Sequence, residues 1–191
     1  PIGDVILNAK SELILISPYF VPRKAGIEQF RKLRERGVEV RVLTNSLSST
    51  DVAAVHSGYA PARKPLLDMG VRLYEVRPDA NILGTRRSGL KGSRASLHTK
   101  GFVVDRSHVF FGSFNFDPRS AHINTEMGIF MDAPELAAEL VPDLISTLDA
   151  GDSTYEVVLN EMRQLRWLDK REGQFVELTK EPQTSFWDRF V

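Results

Sequence analysis

The segment Glu12-Leu13-Ile14-Leu15-Ile16-Ser17 constrains the fold more than any other part of the chain. Its apolar residues are contiguous rather than alternating, and Pro18 stops the run at strand length, so it reads as a strand buried on both faces. Such a strand needs cover above and below. Gly26 to Arg36 offers one cover, because Ile27, Phe30 and Leu33 recur at helical spacing and Gly37 follows as a C-cap. Val38 to Leu43 is a second β-branched run. A helical stretch from about Asp51 to Met69, closed by Gly70, then leads to a third run at Val71 to Val76. This β-α-β-α-β order predicts an α/β fold, a mixed and largely parallel sheet flanked by helices on both faces.

At 191 residues the chain fits one domain. The expected core spans about residues 1–150, followed by a tail of about 151–191 in which alternating residues around Lys170-Arg171-Glu172-Gly173 suggest a hairpin. Strands are expected over Leu97 to Val104, His108 to Phe111 and about Thr125 to Met131, and a helix over Pro134 to Leu148 interrupted at Pro142. The segment Asn81 to Ser96 has no acidic residue and four basic ones, Arg86, Arg87, Lys91 and Arg94, and reads as an exposed loop. With 25 basic and 25 acidic residues the chain lacks the overall basicity of a protein that lives on nucleic-acid backbones. The absence of cysteine excludes disulfides, thiol nucleophiles and cysteine-type zinc sites. No apolar run approaches the roughly 18 residues of a transmembrane helix. Pro1 opens the chain in what reads as the middle of a folded unit, so a piece of a longer protein is expected.

Chemistry concentrates in His98-Thr-Lys-Gly-Phe-Val-Val-Asp-Arg-Ser-His-Val-Phe-Phe-Gly-Ser-Phe-Asn115. On a strand, the two-residue period sends His98 and Lys100 to one face. An imidazole beside a fixed ammonium suits attack on a phosphodiester, with the lysine stabilising the charge that builds on a non-bridging oxygen. Asp105 could orient or compensate these cations. Ser113 and Asn115, after the turn at Gly112, offer a hydroxyl and an amide to phosphate oxygens. Glu126 or Asp105 could accept from the second nitrogen of His98. A lone histidine on a strand is more often structural, but six specified residues at fixed spacing are not an accident of composition.

The spacing HxKx4Dx6GSxN resembles the signature of the phospholipase D superfamily at every specified position. The continuation "SFNFDPRSAHINTEMGIFMD" is similar to that of bacterial cardiolipin synthases and related proteins, and places Arg119, Ser120, Asn124 and Glu126 on the family pattern. "ISPYFVP", "TNSLSSTDVAAVHSGYAPARKPLLDMGVRLYEV" and "EPQTSFWDRF" extend the likeness along nearly the whole chain. The resemblance implies one half of the phospholipase D fold and a phosphatidyltransferase or phosphodiesterase that works through a phosphohistidine without a metal or other cofactor. His98, Lys100, Asp105, Ser113, Asn115 and Glu126 would be catalytic, with weaker phosphate-binding parts for Arg119, Ser120 and Asn124. It also implies two such motifs, and this chain holds one. The partner would be an N-terminal half-domain of the same protein or a second copy of the chain. The substrate would be a phospholipid at a membrane surface, on the cytoplasmic side of or peripheral to a bacterial inner membrane. In the family the histidine of the second motif is usually the acid and base. The alternative is a homodimeric single-motif phosphodiesterase or nuclease.

Other residues allow two readings. His56, Tyr59 and Arg63 share a helical face and could line a site or simply pack. His122 reads as structural, and Phe186, Trp187 and Phe190 could meet a membrane interface or strap the core.

Overall fold

The computed structural model describes residues 2–80, 85–86, 96–118, 120 and 125–185. The early residues follow the expected alternation. A short helix α1 (Ile2–Leu7) precedes β1 (Glu12–Ile16), α2 (Arg23–Glu35), β2 (Glu39–Asn45), α3 (Ala53–Tyr59), one 3-10 turn (Ala60–Ala62), α4 (Arg63–Asp68) and β3 (Arg72–Val76). The single helix expected over Asp51 to Met69 is therefore broken, and the break falls at Pro61, which lacks the N–H an α-helix needs. Next come the short β4 (Thr85–Arg86) and β5 (Ser96–Leu97), then β6 (Gly101–Val104), β7 (His108–Gly112) and β8 (Gly128–Asp132). A long helix α5 (Pro134–Ala150) and the strands β9 (Thr154–Leu159), β10 (Leu165–Arg171) and β11 (Gln174–Leu178) complete the order. Pro142 does not interrupt α5, which continues across it.

Among the described residues nine strands form one sheet in the order β11-β10-β9-β3-β2-β1-β6-β7-β8. The sheet is mixed, as expected, but not largely parallel. Only β1–β2 and β2–β3 run parallel; the other six adjacent pairings are antiparallel. The physical reason lies in the connections. α2 and the α3–α4 segment are long enough to cross back over the sheet, whereas β6, β7 and the β9–β11 run are joined by links that only antiparallel neighbours can use. The expected tail is thus part of the sheet, since β9 pairs with β3 and β10 with β11 through the turn Glu172-Gly173. Both turn residues have left-handed φ, 50° and 80°, which is what a two-residue hairpin asks of them.

Helices do cover both faces. Alternate residues of β1 divide between them: Leu13 and Leu15 pack with Phe30 and Leu33 of α2 and Leu66 of α4, while Ile14 meets Ala137 and Val141 of α5. Full burial of each such side chain contributes about 1.5–3 kcal/mol. Helix ends repeat one solution. After α2 the N–H groups of Gly37 and Val38 bond to the carbonyls of Arg34 and Leu33, and after α4 those of Gly70 and Val71 bond to Leu67 and Leu66. The glycines supply the positive φ, 82° and 83°, that this closure requires.

His56, Tyr59 and Arg63 form a buried cluster, as the packing reading expects. Arg63, 2% exposed, donates to Glu75 Oε1 at 2.8 Å and to Glu181 Oε1 at 2.6 Å, and its Nη2 lies 2.8 Å from His56 Nε2. Its guanidinium lies over the rings of Tyr59 and Trp167, and the Trp167 indole donates to Glu75 Oε2 at 2.9 Å. Burial alone would raise the Glu181 carboxyl, but the His56 bond and the Arg63 charge outweigh it and hold Glu181 down at about 2. A buried arginine needs such company, because an unpaired charge in the interior costs several kcal/mol.

Candidate active site

The site lies where β6 begins and β7 ends. β1 and β7 hold Gly101 through the pairs Ile16↔Gly101 and Gly101↔Phe111. A side chain at Gly101 would place its Cβ 2.5 Å from the Phe110 carbonyl oxygen, and one at Gly112 would sit 2.5 Å from that of Met127. Glycine is therefore what lets β6, β7 and β8 close up beside the reactive groups.

An open cleft of about 840 Å³ is lined by His98, Thr99 and Lys100 on one side and Ser113, Glu126 and Met127 on the other. The expected strand Leu97 to Val104 is discontinuous: β5 stops at Leu97 and residues 98–100 lie outside any strand. His98 and Lys100 still share the cleft, but by a local fold rather than by strand alternation. The Lys100 ammonium turns back to donate to the His98 carbonyl at 2.7 Å. Burial lowers the Lys100 pKa below the usual lysine value, and the negative charges of Glu126 and Asp51 work against that shift.

Ser113 donates a very short hydrogen bond to Glu126 Oε2, and its oxygen accepts from the Met127 N–H at 3.0 Å. Glu126 is thus engaged with Ser113 across the cleft from Lys100. Of the two acceptors expected for the His98 imidazole, Glu126 lines the same cleft and Asp105 does not.

Asp105 is not at the site. It terminates β6 at the opposite end, five residues from Lys100, or roughly 16 Å along a strand. There it accepts from the backbone N–H of Lys10, Ser11 and Glu12 at 2.7–3.1 Å and from the Ser11 hydroxyl at 2.9 Å. Burial acts to raise its pKa, but the donated N–H bonds of Ser11, Glu12 and Lys10 prevail and hold the carboxyl below its ordinary range. The catalytic part expected for Asp105 becomes a structural one, because its acceptor capacity is directed at the turn before β1.

Asn115 and Ser120 belong to the loop behind the cleft rather than to its lining. The Ser120 hydroxyl is 5% exposed, accepts from the Asn115 N–H at 3.3 Å and lies 3.4 Å from Asp117 Oδ2, so the phosphate-binding part expected of it is replaced by loop closure. The Asn115 side-chain oxygen is buried and has no hydrogen-bond partner among the described residues. The loop is pinned to β1, since the Phe116 N–H donates to the Ser17 hydroxyl at 2.9 Å and the Val21 N–H to the Phe116 carbonyl at 2.7 Å. Arg119, Asn124, His122, Phe186, Trp187 and Phe190, and most of the basic segment 81–95, lie outside the described residues.

Two groups near the cleft were not singled out from sequence. The Tyr19 hydroxyl donates to Asp51 Oδ1 at 2.8 Å, and burial together with that bond pushes Tyr19 up to about 12. Tyr19 follows β1 and Asp51 follows β2, so both reach the sheet end at which Gly101 begins β6, next to Lys100. Only the tyrosine-containing stretch "ISPYFVP" hinted at this. Among the described residues no cluster of three or more histidines and carboxylates could hold a metal ion, and no helix is long and apolar enough to cross a membrane.

Comparison with known proteins agrees with this geometry. A family model described as "Cardiolipin synthase, PLD-like domain" matches residues 2–146. Cardiolipin synthase C of Escherichia coli is 43% identical over 190 residues, covering 98% of this chain and 40% of that protein. An uncharacterised protein of Helicobacter pylori is 35% identical over 184 residues, covering 96% of this chain and 36% of its own length. The chain therefore spans about two fifths of these relatives. Among solved structures, phosphatidylserine synthase of Haemophilus influenzae superposes with a TM-score of 0.60 at 17% identity, covering 81% of this chain and 36% of that one. Nuc, a phospholipase D family member from Salmonella typhimurium, superposes with a TM-score of 0.57 at 18% identity over 81% of this chain and 87% of its own. At these identities the likeness shows a common fold.

Proposed function

Because the chain belongs to the phospholipase D-like family of cardiolipin synthases, we propose that it is the C-terminal catalytic half of a bacterial phosphatidyltransferase of that type. One observation carries this reading: His98, Lys100, Ser113 and Glu126 line a single open cleft, assembled from strands that the glycines at 101 and 112 bring together. Among the described residues no further wall closes over the cleft. Phe111, Met127 and Ile129, at 38%, 80% and 66% exposure, border it as uncovered apolar surface. Apolar side chains beside a polar site favour cover by a second protein surface. A second half-domain bearing its own histidine would supply that wall.

In this scheme the partner's histidine attacks phosphorus and forms a phosphohistidine while His98, as imidazolium, gives its proton to the leaving alcohol oxygen. Neutral His98 then takes the proton from an incoming alcohol, whose oxygen displaces the histidine nitrogen from phosphorus. Lys100 balances the charge on the non-bridging oxygens. Glu126 keeps the Ser113 hydroxyl oriented at the cleft wall. The lipid substrate comes with the relatives' names rather than from the cleft.

In the full-length parent, His98→Ala should still accumulate a phosphoenzyme with a substrate bearing a good leaving group, because the partner histidine needs no proton donor there. Absence of labelling would make His98 the nucleophile. The isolated chain should hydrolyse a chromogenic phosphodiester poorly, and vigorous His98-dependent turnover by it as a monomer would overturn the half-site reading. A second reading, a homodimeric phosphodiesterase, draws on the 87% coverage of the Nuc chain. A stable dimer with activity in the isolated chain would establish it.

A further inference from the structure

The short strand that leads into His98, β5, is not part of the nine-stranded sheet. Among the described residues β5 pairs with β4 alone, so the main ladder stops at Gly101 and residues 98–100 require an anchor on their other side. Asn45, the last residue of β2 and 2% exposed, stands at that position. Its Oδ1 accepts from the Leu97 N–H at 2.9 Å, and its Nδ2 donates to the Leu97 carbonyl at 3.3 Å. Nδ2 also lies 3.4 Å from the Pro18 carbonyl and 3.5 Å from the Ser96 hydroxyl, and the Ser49 hydroxyl donates to Oδ1 at 3.2 Å.

One side-chain amide thus meets both the donor and the acceptor of Leu97, as the peptide group of a neighbouring strand would. Its orientation is decided by chemistry, because a reversed amide would set two N–H groups against the Leu97 N–H and an oxygen against two carbonyls. The buried Ser46, Ser48 and Ser49 lock the turn that follows: the Ser46 hydroxyl lies 3.0 Å from that of Ser48 and 3.1 Å from that of Ser49. This gives a purpose to a polar run, "NSLSS", that would otherwise be a costly thing to bury.

We propose that Asn45 is a positioning residue for His98, a side-chain substitute for a missing strand that fixes Leu97 so that residues 98–100 are held at both ends. Asn45 touches no reacting atom. The inference rests on the reading of His98 as the reactive imidazole, for which a misplacement of about 1 Å costs on the order of 10²-fold in rate.

Amide hydrogen exchange tests the anchor without turnover. In the unmodified chain the Leu97 amide should exchange at least about tenfold more slowly than an unprotected one. Asn45→Ala should speed it about ten- to hundredfold while Phe102 and Val103, held by the main ladder, keep their protection. An unprotected Leu97 in the unmodified chain overturns the proposal even if the variant fails to fold. So does a Leu97 rate unchanged in a folded variant. In the full-length parent, Asn45→Ala should lower kcat about tenfold or more with KM within about twofold. Unchanged kcat with a freed Leu97 would refute the positioning role. A parent with no phosphodiester turnover at all would instead refute the functional reading and leave the anchor standing.

Discussion

The two ends of β6 come from one stretch of sequence, His98 to Asp105, and they treat charge in opposite ways. At the Asp105 end a carboxylate accepts from three backbone N–H groups and a hydroxyl. At the other end an ammonium is partly stripped of water and bonded to a single carbonyl, beside an exposed imidazole. One end holds the turns of the domain together; the other lines an open cleft. A contiguous motif can therefore contain residues selected for the chemistry and residues selected for the frame, and spacing alone does not sort them.

The largest stability effect should come from the satisfied end. Asp105→Ala leaves the N–H groups of Lys10, Ser11 and Glu12 without their acceptor and should cost about 1–3 kcal/mol in chemical denaturation. His98→Ala should stay within about 0.5 kcal/mol of the unmodified chain, as substitution of an exposed side chain does. Equal losses at both positions would erase the contrast between the ends.

Acid sharpens it, and the Arg63 cluster extends it to a third place. Glu181 has a folded-state pKa of about 2, below its ordinary 4.5. Its contribution is therefore fully present above about pH 4.5 and is lost as pH falls toward 2. Asp105 is depressed in the same direction, so its contribution also fades below its ordinary value of 3.8. Glu181→Gln should remove about 1–3 kcal/mol at pH 7 and flatten the loss of stability between about pH 4.5 and 2, as followed by thermal melts. An acid limb as steep as that of the unmodified chain would place the pH-sensitive charges elsewhere.

The smallest effect should be of opposite sign. The folded state lowers the Lys100 pKa, so below that value the protonated lysine opposes folding, and the penalty disappears only as pH rises toward 10.5. Lys100→Met should raise the denaturation midpoint slightly at pH 7 while abolishing any phosphodiester chemistry, the trade expected of a functional group kept in a costly place. A lowered midpoint would make Lys100 a structural cation.

Local sequence alone was enough to read β1, α2, β2 and β3, because contiguous apolar runs, helical spacing and the glycines at 37 and 70 all act within a few residues. It also singled out His98, Lys100, Ser113 and Glu126, whose side-chain chemistry is particular enough to be recognised without a partner in view. Sheet direction beyond the third strand was not legible, since strand pairing joins residues such as Leu73 and Val157 that no local pattern connects. The hydrogen-bond partners of Asp105 and Ser120 were not legible for the same reason. A carboxylate or hydroxyl has acceptors and donors to spend, and whether they go to a phosphate or to a turn depends on what the fold brings alongside. Tertiary structure alone decided that Asp105 faces Lys10 to Glu12, that Arg63 finds Glu75 and Glu181, and that Asn45 takes the place of a strand beside Leu97. Each of these is a hydrogen bond between residues that are neighbours only in the folded chain, so no local pattern announces it.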